Sequence, residues 1–424
     1  MQLKKKRIRG ALATASCTLL GLSNAASAEE PWQFDSAVLF YSETDRVQAV
    51  EPVVTGRKNF GDDHWLNLKM VVDVLTGASA NGATASGVAQ TFTRPSGKGT
   101  YTAAEGETPL DDTFKDTRVA LSASWEQPYT RLTKVTYGAN FSAEYDFRSL
   151  SGNVSVAHDM NKRNTTLSAG ISVESDQITP EGGIPTPFAE MVAAGNITPR
   201  EGDSETRSVI DLLTGVTQVV NRRMLMQFNY GISSSSGYMT DPFKIISVID
   251  GTTGTNTAGT QGLPYQYFYE KRPDSRTKQS LFWQSKYHLS KDVVDISYRY
   301  VWDDWGITSH TLEGTYRWKL KGSHYLEPHV RFYQQGEADF YRHSLVEGEA
   351  LPEYASADYR LGEFTGITLG LKYGMKISGN DASLRVEYYN QSGDSSPNDA
   401  IGAQKNQDLF PDINAMLLQL RYTF

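Results

Sequence analysis

The sequence predicts an all-β protein, a single transmembrane antiparallel up-and-down β-barrel of about sixteen strands, with fourteen strands as the alternative. Three observations predict it. The chain begins with an export signal, its later segments alternate apolar and polar residues with a period of two, and its last strand ends in Phe424. Short connections alternate with long ones, which is typical of barrels with short periplasmic turns and long extracellular loops.

The first residues have the composition of a secretory signal peptide. A basic start precedes an apolar stretch at 11–22, and Ala26 and Ala28 supply the small residues that precede cleavage; the basic residues are Lys4, Lys5, Lys6, Arg7 and Arg9. An apolar stretch of this length is shorter than the roughly 20 residues that a membrane-spanning helix needs. We therefore predict a signal peptide at 1–28 and a barrel at 29–424.

Cys17 is the only cysteine and falls inside the predicted signal peptide. In a lipoprotein it would be the lipidated residue, but Thr14-Ala15-Ser16 matches the usual lipobox poorly and leucines follow the cysteine instead of preceding it. The sequence favours an unlipidated Cys17. The exported chain would then have no disulfide, thiol nucleophile or thiolate metal site.

Charge and hydropathy exclude two classes of protein. The chain has 49 acidic and 41 basic residues, and this acidic balance argues against a nucleic-acid partner. No stretch after residue 30 approaches the roughly 18 consecutive apolar residues of a membrane helix. A barrel lacks that signal because lipid-facing and lumen-facing residues alternate.

The end of the chain shows the clearest alternation. One face carries Leu418, Leu420, Tyr422 and Phe424, and the other carries Gln419, Arg421 and Thr423. We predict that the apolar face contacts outer-membrane lipid and lipopolysaccharide, and that this strand is the insertion signal read by the barrel-assembly machinery. Because aromatic residues cluster at strand ends, as in membrane-interface girdles, a barrel is favoured over a soluble β-sandwich.

Strand parity follows from a periplasmic C-terminus. Residues 32–42 and 64–76 resemble strands, so a further strand must lie between them, and 46–57 must supply it despite Glu51 and Pro52. Counting back then places every long loop outside; these loops cover roughly 77–113, 178–204, 237–276, 338–360 and 393–411.

The loops differ in composition. Loops 77–113 and 237–276 are rich in small residues, which predicts mobile segments. Loop 178–204 contains 187–194, a candidate short helix capped by Thr186. That helix would fold over or into the pore, or lie on the outer surface.

No motif of a known catalytic, metal or cofactor site is present, so we predict no enzyme activity and no cofactor. The seven histidines are scattered. A hydrolase site built across strands at the outer rim, from histidine with Asp or Ser, stays open as a less favoured alternative.

The predicted lumen face of the C-terminal strands is rich in cations. They outnumber the carboxylates Asp295, Asp303, Glu313, Glu327 and Glu387; the cations are Lys286, Arg299, Arg317, Lys319, Arg331, Lys372, Lys376, Arg385 and Arg421. A basic wall would concentrate anions. The alternative, which we favour, is that these charges pair across strands and fill the interior.

Three segments resemble a known family. They are Trp32-Gln-Phe-Asp-Ser-Ala-Val-Leu-Phe-Tyr-Ser-Glu, Arg46-Val-Gln-Ala-Val-Glu-Pro-Val-Val54 and Leu420-Arg-Tyr-Thr-Phe424. The chain resembles the uncharacterised proteobacterial family called domain of unknown function 3570. The resemblance covers the predicted barrel and implies an outer-membrane barrel. Gene neighbourhoods of the family, with flavin-transferase and thioredoxin-like proteins, imply a periplasmic redox partner; the family supplies no catalytic residues.

The sequence thus favours a channel for small hydrophilic solutes, with a charged and partly basic lumen that would prefer anions. The alternative is a non-conducting scaffold barrel that holds a periplasmic or surface partner, such as a redox protein.

Overall fold

A computed structural model describes residues 31–93, 100–191, 199–252 and 261–424. The predicted cleavage residues Ala26 and Ala28, together with Cys17, lie outside the described residues. In the described part of the chain, no helix is long and apolar enough to cross a membrane.

Sixteen antiparallel strands form a closed barrel in which each strand pairs with its sequence neighbour. In chain order they are β1 (Gln33–Glu43), β2 (Gln48–Asn59), β3 (Trp65–Ala80), β4 (Leu110–Pro128), β5 (Thr133–Ala143), β6 (Phe147–Met160), β7 (Thr165–Ile178), β8 (Glu205–Asn221), β9 (Met224–Gly237), β10 (Ser275–His288), β11 (Val293–Asp303), β12 (Thr308–Lys319), β13 (Tyr325–Gln335), β14 (Phe364–Ile377), β15 (Asn380–Gly393) and β16 (Ile413–Thr423). The predicted fold class is therefore confirmed, with sixteen strands instead of fourteen.

The barrel closes between its first and last strands. The backbone N–H of Phe34 donates to the carbonyl of Phe424 over 2.8 Å, and Phe424 donates back to Phe34 over the same distance. The Phe424 ring stacks between those of Phe34 and Tyr422, at 5.7 and 5.8 Å. Closure leaves no free sheet edge, as a hydrocarbon environment requires.

The five long connections leave the same end of the barrel, opposite the C-terminus. They span 81–109, 179–204, 238–274, 336–363 and 394–412. We call this the outer end, and the end that holds Phe424 the periplasmic end. The short connection at 44–47 also lies at the outer end, and it joins β1 to the strand that parity requires. That strand pairs poorly around Pro52, because proline has no N–H to donate to the ladder with β3.

The described parts of the five long loops pack together over the outer end; we call this assembly the cap. It contains a three-stranded sheet of Ile245–Ile249, Pro264–Tyr269 and Ser344–Val346, and a hairpin of Gln90–Thr93 and Thr100–Ala103. Phe92 and Ile246 are fully buried in its apolar clusters. This packing differs from the mobile loops that the composition predicts for 77–113 and 237–276.

The helix predicted at 187–194 is wrong over its described part, 187–191. Phe188 has a positive φ of 57°, which a right-handed helix excludes. The Phe188 N–H donates to the Tyr269 carbonyl and the Met191 N–H to the Tyr267 carbonyl, so the segment extends along a neighbouring loop strand. Pairing with that strand outweighs the local helix preference. Residues 192–194 lie outside the described part.

Candidate functional site

The inward face of the barrel is the candidate site. Strand register places every predicted lumen residue on one face, opposite the exposed apolar side chains of Leu418 and Leu420. In the strand register, inward positions of adjacent strands stand opposite each other: Lys286 opposite Asp295, Glu313 opposite Arg331, and Lys372 opposite Arg385. This arrangement gives the position of these residues, and their role in lining a pore stays a prediction.

Most of these cations are paired. Ion pairs link Lys286 to Asp295 at 3.1 Å, Arg317 to Glu327 at 2.6 Å, Lys372 to Glu327 at 3.5 Å, Lys376 to Asp381 at 4.0 Å, Arg385 to Glu387 at 3.7 Å and Arg421 to Asp35 at 2.5 Å. Each pair joins neighbouring positions within a strand or across strands. This geometry agrees with the alternative in which charges pair along the wall.

Three predicted lumen cations make no ion pair with any described residue. The Arg299 guanidinium lies over the Phe282 ring at 5.3 Å, and Arg331 lies 5.4 Å from the Tyr333 ring. Lys319 is exposed at the periplasmic end. Cation–π contacts leave the positive charge intact. The C-terminal wall therefore keeps a small positive excess in place of a continuous basic surface.

His329 connects two carboxylates in the middle of this wall. Its Nδ1 lies 2.8 Å from Glu387 and its Nε2 lies 3.1 Å from Glu313. Both carboxylates come from other strands, β15 and β12, so the imidazole bridges three elements. No group of three or more potential ligands in the described chain has the geometry of a metal site.

The N-terminal half of the barrel has a different inner wall. A cavity of about 500 Å³ lies against β1–β6. Its lining includes amides, hydroxyls and two cations, Arg57 and Lys69, together with the apolar Phe34 and Leu68. The Arg57 guanidinium stacks on the Trp65 ring at 3.9 Å. The only carboxylate among the described lining residues, Asp35, is held by Arg421 and Thr423.

The outer and periplasmic halves of the lumen differ in solvent access. Several inward positions near the outer end are buried beneath the cap; they include Asp73, Asp176, Gln335, Gln391, Ile413 and Ala415. By contrast, half or nearly half of the side-chain surface of Arg317 and Arg421 is exposed near the periplasmic end. Solvent access to these lumen residues is therefore greater near the periplasmic end than beneath the cap.

A network of buried charges holds the cap together. Arg272 contacts Glu270 at 2.6 Å and Asp358 at 2.8 Å, and all three side chains are buried. Arg360 contacts the same Asp358 and also Asp241, at 2.9 Å. The network joins loop 238–274 to loop 336–363, so both loops must be in place for its charges to be compensated.

Burial and neighbouring charges shift the pKa values of the buried carboxyl groups in opposite directions. Burial raises the pKa of Glu270, despite the opposing effect of Arg272. Burial alone would also raise the pKa of Asp358, but Lys244 and Arg360 hold it well below the usual range of a carboxyl group. Asp358 therefore stays ionised and anchors the cations of the cap.

A tyrosine of the cap contacts two other connections at the outer end. Tyr359 packs on Phe410 with ring centroids 6.3 Å apart, and the Arg46 guanidinium lies 6.0 Å from its ring. Burial raises the pKa of Tyr359, and Glu43 of β1 is among its electrostatic neighbours. Tyr359 thus links loop 336–363 to loop 394–412 and to the connection between β1 and β2.

His343 is the histidine of the cap at the outer rim. In the cap, the ring of His343 contacts Tyr341, and its Nδ1 lies 3.4 Å from the tyrosine hydroxyl. Burial lowers the pKa of His343, with Asp399 and Asp394 as opposing neighbours. No Ser or Thr hydroxyl lies within hydrogen-bond distance of this ring among the described contacts.

Sequence reasoning missed the cap and the importance of the N-terminal wall. The alternation places Asn67 and Lys69 on the polar face of β3, which is the signal that identifies the wall. The cap has no such signal because its contacts join remote segments. For example, the Thr84 N–H donates to the hydroxyl of Ser247 over 3.0 Å.

Several solved structures resemble the fold at low sequence identity. The siderophore receptor PirA from Acinetobacter baumannii is 10% identical, with a TM-score of 0.43, over 87% of this chain and 54% of the receptor. A bacterial polysaccharide outer membrane secretin is 8% identical, with a TM-score of 0.44, over 94% of this chain and all of the secretin chain. CdiB from Acinetobacter baumannii is 7% identical, with a TM-score of 0.48, over 93% of this chain and 60% of the CdiB chain. The chain spans about half the length of the receptors that it matches.

No curated protein matches the chain. The model of the family described as "Protein of unknown function (DUF3570)" matches residues 9–424, nearly the whole sequence. The chain has the fold of an outer-membrane β-barrel, and it belongs to the DUF3570 family.

Proposed function

We propose that the barrel is a channel for small hydrophilic solutes whose outer mouth is covered by the loop cap. The observation that carries this proposal is the inner wall: polar and charged side chains line it, and several of those near the periplasmic end, such as Lys286 and Arg421, are solvent-exposed. A barrel of sixteen strands is wide enough to leave an aqueous channel, whereas side chains alone fill a barrel of about eight.

The cap makes the channel a gated one. Its buried apolar clusters and ion network join the described loops, so solute passage requires the cap to shift or open locally. Loop displacements of this kind occur on microsecond to millisecond timescales. We expect brief openings of the wild-type barrel, and longer ones when the cap is weakened.

Single-channel recording tests this proposal. The refolded barrel in a planar bilayer should give discrete conductance steps, and Phe92→Ala, which weakens a buried cap cluster, should increase the time spent open. The reversal potential in a salt gradient would report anion preference. Absence of conductance from both proteins would refute the channel, and clear cation preference would refute anion selectivity.

A second candidate is a non-conducting scaffold barrel for a periplasmic or surface partner, such as a redox protein. The packed cap favours it, because a freely open pore does not need a covering with its own apolar clusters. Crosslinking followed by purification from membranes would test it. Failure to recover a stoichiometric partner would count against the scaffold.

The proposal also covers export of the chain and insertion of the barrel into the outer membrane. The predicted signal peptide at 1–28 would deliver the chain to the periplasm, and the barrel-assembly machinery would insert it through β16 among outer-membrane lipid and lipopolysaccharide. The exposed outward face of Leu418 and Leu420 and the stacking of Phe424 at the seam support this role for the last strand.

A further inference from the structure

We propose that the inner wall of β1–β6 carries a binding site for a small oxyanion, a carboxylate or phosphate, built on Arg57 and Lys69. The proposal rests on the proposed channel to the extent that the solute reaches the site through the lumen. The site belongs to the N-terminal wall and meets the predicted basic wall at Arg421, which binds Asp35 of the cavity.

Both cations are available to a ligand. Lys69 and Arg57 are exposed to the lumen, and neither makes an ion pair with a described residue. They lie close together: Lys69 pairs with Thr55 across β2 and β3, while Arg57 pairs with Asn67 two residues along. Diagonal neighbours on one face of a sheet are about 7–8 Å apart, so the two cations line the same part of the wall.

Stacking on Trp65 orders the Arg57 guanidinium before a ligand arrives. The guanidinium lies 3.9 Å from the ring centroid, within the distance of a cation–π contact. A planar guanidinium held in place presents its paired N–H donors in the geometry that carboxylate and phosphate oxygens match. Less side-chain entropy is then lost on binding.

The carboxylate in the cavity does not neutralise these cations. Asp35 accepts from Arg421 over 2.7 Å and from the Thr423 hydroxyl over 2.9 Å. Its charge is therefore balanced at the barrel seam. Neither Arg57 nor Lys69 makes an ion pair with a described residue, although the carboxylate of Glu51 is an electrostatic neighbour of Lys69. A pair of cations without ion-pair partners favours an anionic over a neutral or cationic ligand.

Neutral donors complete the site. The Asn67 side chain donates to the Ser124 hydroxyl over 3.4 Å, and Asn140 donates to the Ser151 hydroxyl over 3.1 Å. Each amide nitrogen has a second N–H for a ligand oxygen. The cavity of about 500 Å³ is within the range of sites for small molecules.

Calorimetric titration of the folded, detergent-solubilised barrel with inorganic phosphate and with succinate tests the site without requiring conduction. We expect saturable binding of at least one of the two anions. Lys69→Gln and Arg57→Gln should each weaken it at least ten-fold, while Lys69→Arg should retain most of it. Arg222→Gln and Lys291→Gln, which remove one positive charge each from periplasmic turns, should leave it unchanged.

The two proposals fail in different ways. Binding of neither anion to the wild-type barrel would overturn the site, as would binding that survives both lumen variants. A barrel that binds the anion with the expected losses but shows no conductance would refute the channel and leave the site intact. Conductance together with anion binding that the variants leave unchanged would support the channel and overturn the site.

Discussion

Arg421 on the last strand binds Asp35 on the first, with Nε of the arginine 2.7 Å from a carboxylate oxygen. The pair lies across the seam where the barrel closes, and the Thr423 hydroxyl donates to the same carboxylate. Half of the arginine side chain is exposed, so water screens the interaction. Its contribution is therefore modest.

We expect Asp35→Asn to lower the free energy of unfolding by about 0.5–1 kcal/mol, because a screened ion pair and one hydrogen bond are weakened. Urea unfolding of the lipid-reconstituted barrel measures it. Asp381→Asn is the control, since Asp381 is largely exposed and 4.0 Å from Lys376. Equal effects of the two substitutions would show that the seam pair has no special role.

Removal of the Phe424 ring should impair assembly more than it impairs the folded barrel. The ring stacks on Phe34 and Tyr422, where β16 meets β1. We expect Phe424→Ala to reduce the heat-modifiable, folded fraction in outer-membrane preparations several-fold. Phe60→Ala, in an exposed periplasmic turn, should not. Normal assembly of the Phe424 variant would argue against the C-terminal insertion signal.

The barrel could be predicted from the sequence because a period of two records which face of each strand meets lipid. Leu418 to Phe424 identifies one strand and its direction, and parity then requires the strand at Gln48–Asn59. Local propensity alone misses that strand, since Glu51 and Pro52 disfavour it. Closure of the barrel supplies the missing constraint.

The cap could not be predicted in the same way. Phe92 is buried by residues from loops that lie far away in the sequence, including Tyr267, 5.0 Å from its ring. A small-residue loop has no periodic pattern that records such neighbours. Likewise, the two partners of His329 come from other strands, and only the register reveals them.

Weakening the apolar packing of the cap should open it without unfolding the barrel. Phe92 is fully buried, so Phe92→Ala should cost the cap about 3–5 kcal/mol of local stability. We expect faster hydrogen exchange at Ile245–Ile249 with unchanged exchange in the barrel strands. Val88→Ala, at an exposed cap position, is the control. Unchanged exchange in the Phe92 variant would mean that the cap does not depend on this cluster.

The buried charges predict a pH dependence of the cap. Neighbouring cations hold the pKa of Asp358 below its unfolded value of about 3.9, so its contribution to stability is present above that pH and declines as pH falls towards the folded-state pKa. The raised pKa of Glu270 acts in the opposite sense: its penalty is absent below its unfolded pKa and grows as pH rises through its folded pKa.

The substitution Asp358→Asn tests the contribution of Asp358 separately from that of Glu270. We expect it to destabilise the cap by about 3 kcal/mol at neutral pH, because Arg272 and Arg360 lose a shared buried partner, and to reduce the loss of protection below about pH 4. Hydrogen exchange at 344–346 as a function of pH measures both. Asp274→Asn, at an exposed loop position, should match the wild type. An Asp358 variant with unchanged exchange at both pH values would contradict the anchoring role.

His329 compensates two carboxylates, and its removal should change ion selectivity. Its ring nitrogens lie 2.8 Å from Glu387 and 3.1 Å from Glu313, so His329→Gln leaves both with less positive charge nearby. If the barrel conducts, the reversal potential in a salt gradient should shift towards cation preference. His324→Gln, in the periplasmic turn at 320–324, removes a histidine away from these carboxylates and should give no shift. An unchanged reversal potential in the His329 variant would show that the two carboxylates lie outside the conducting path.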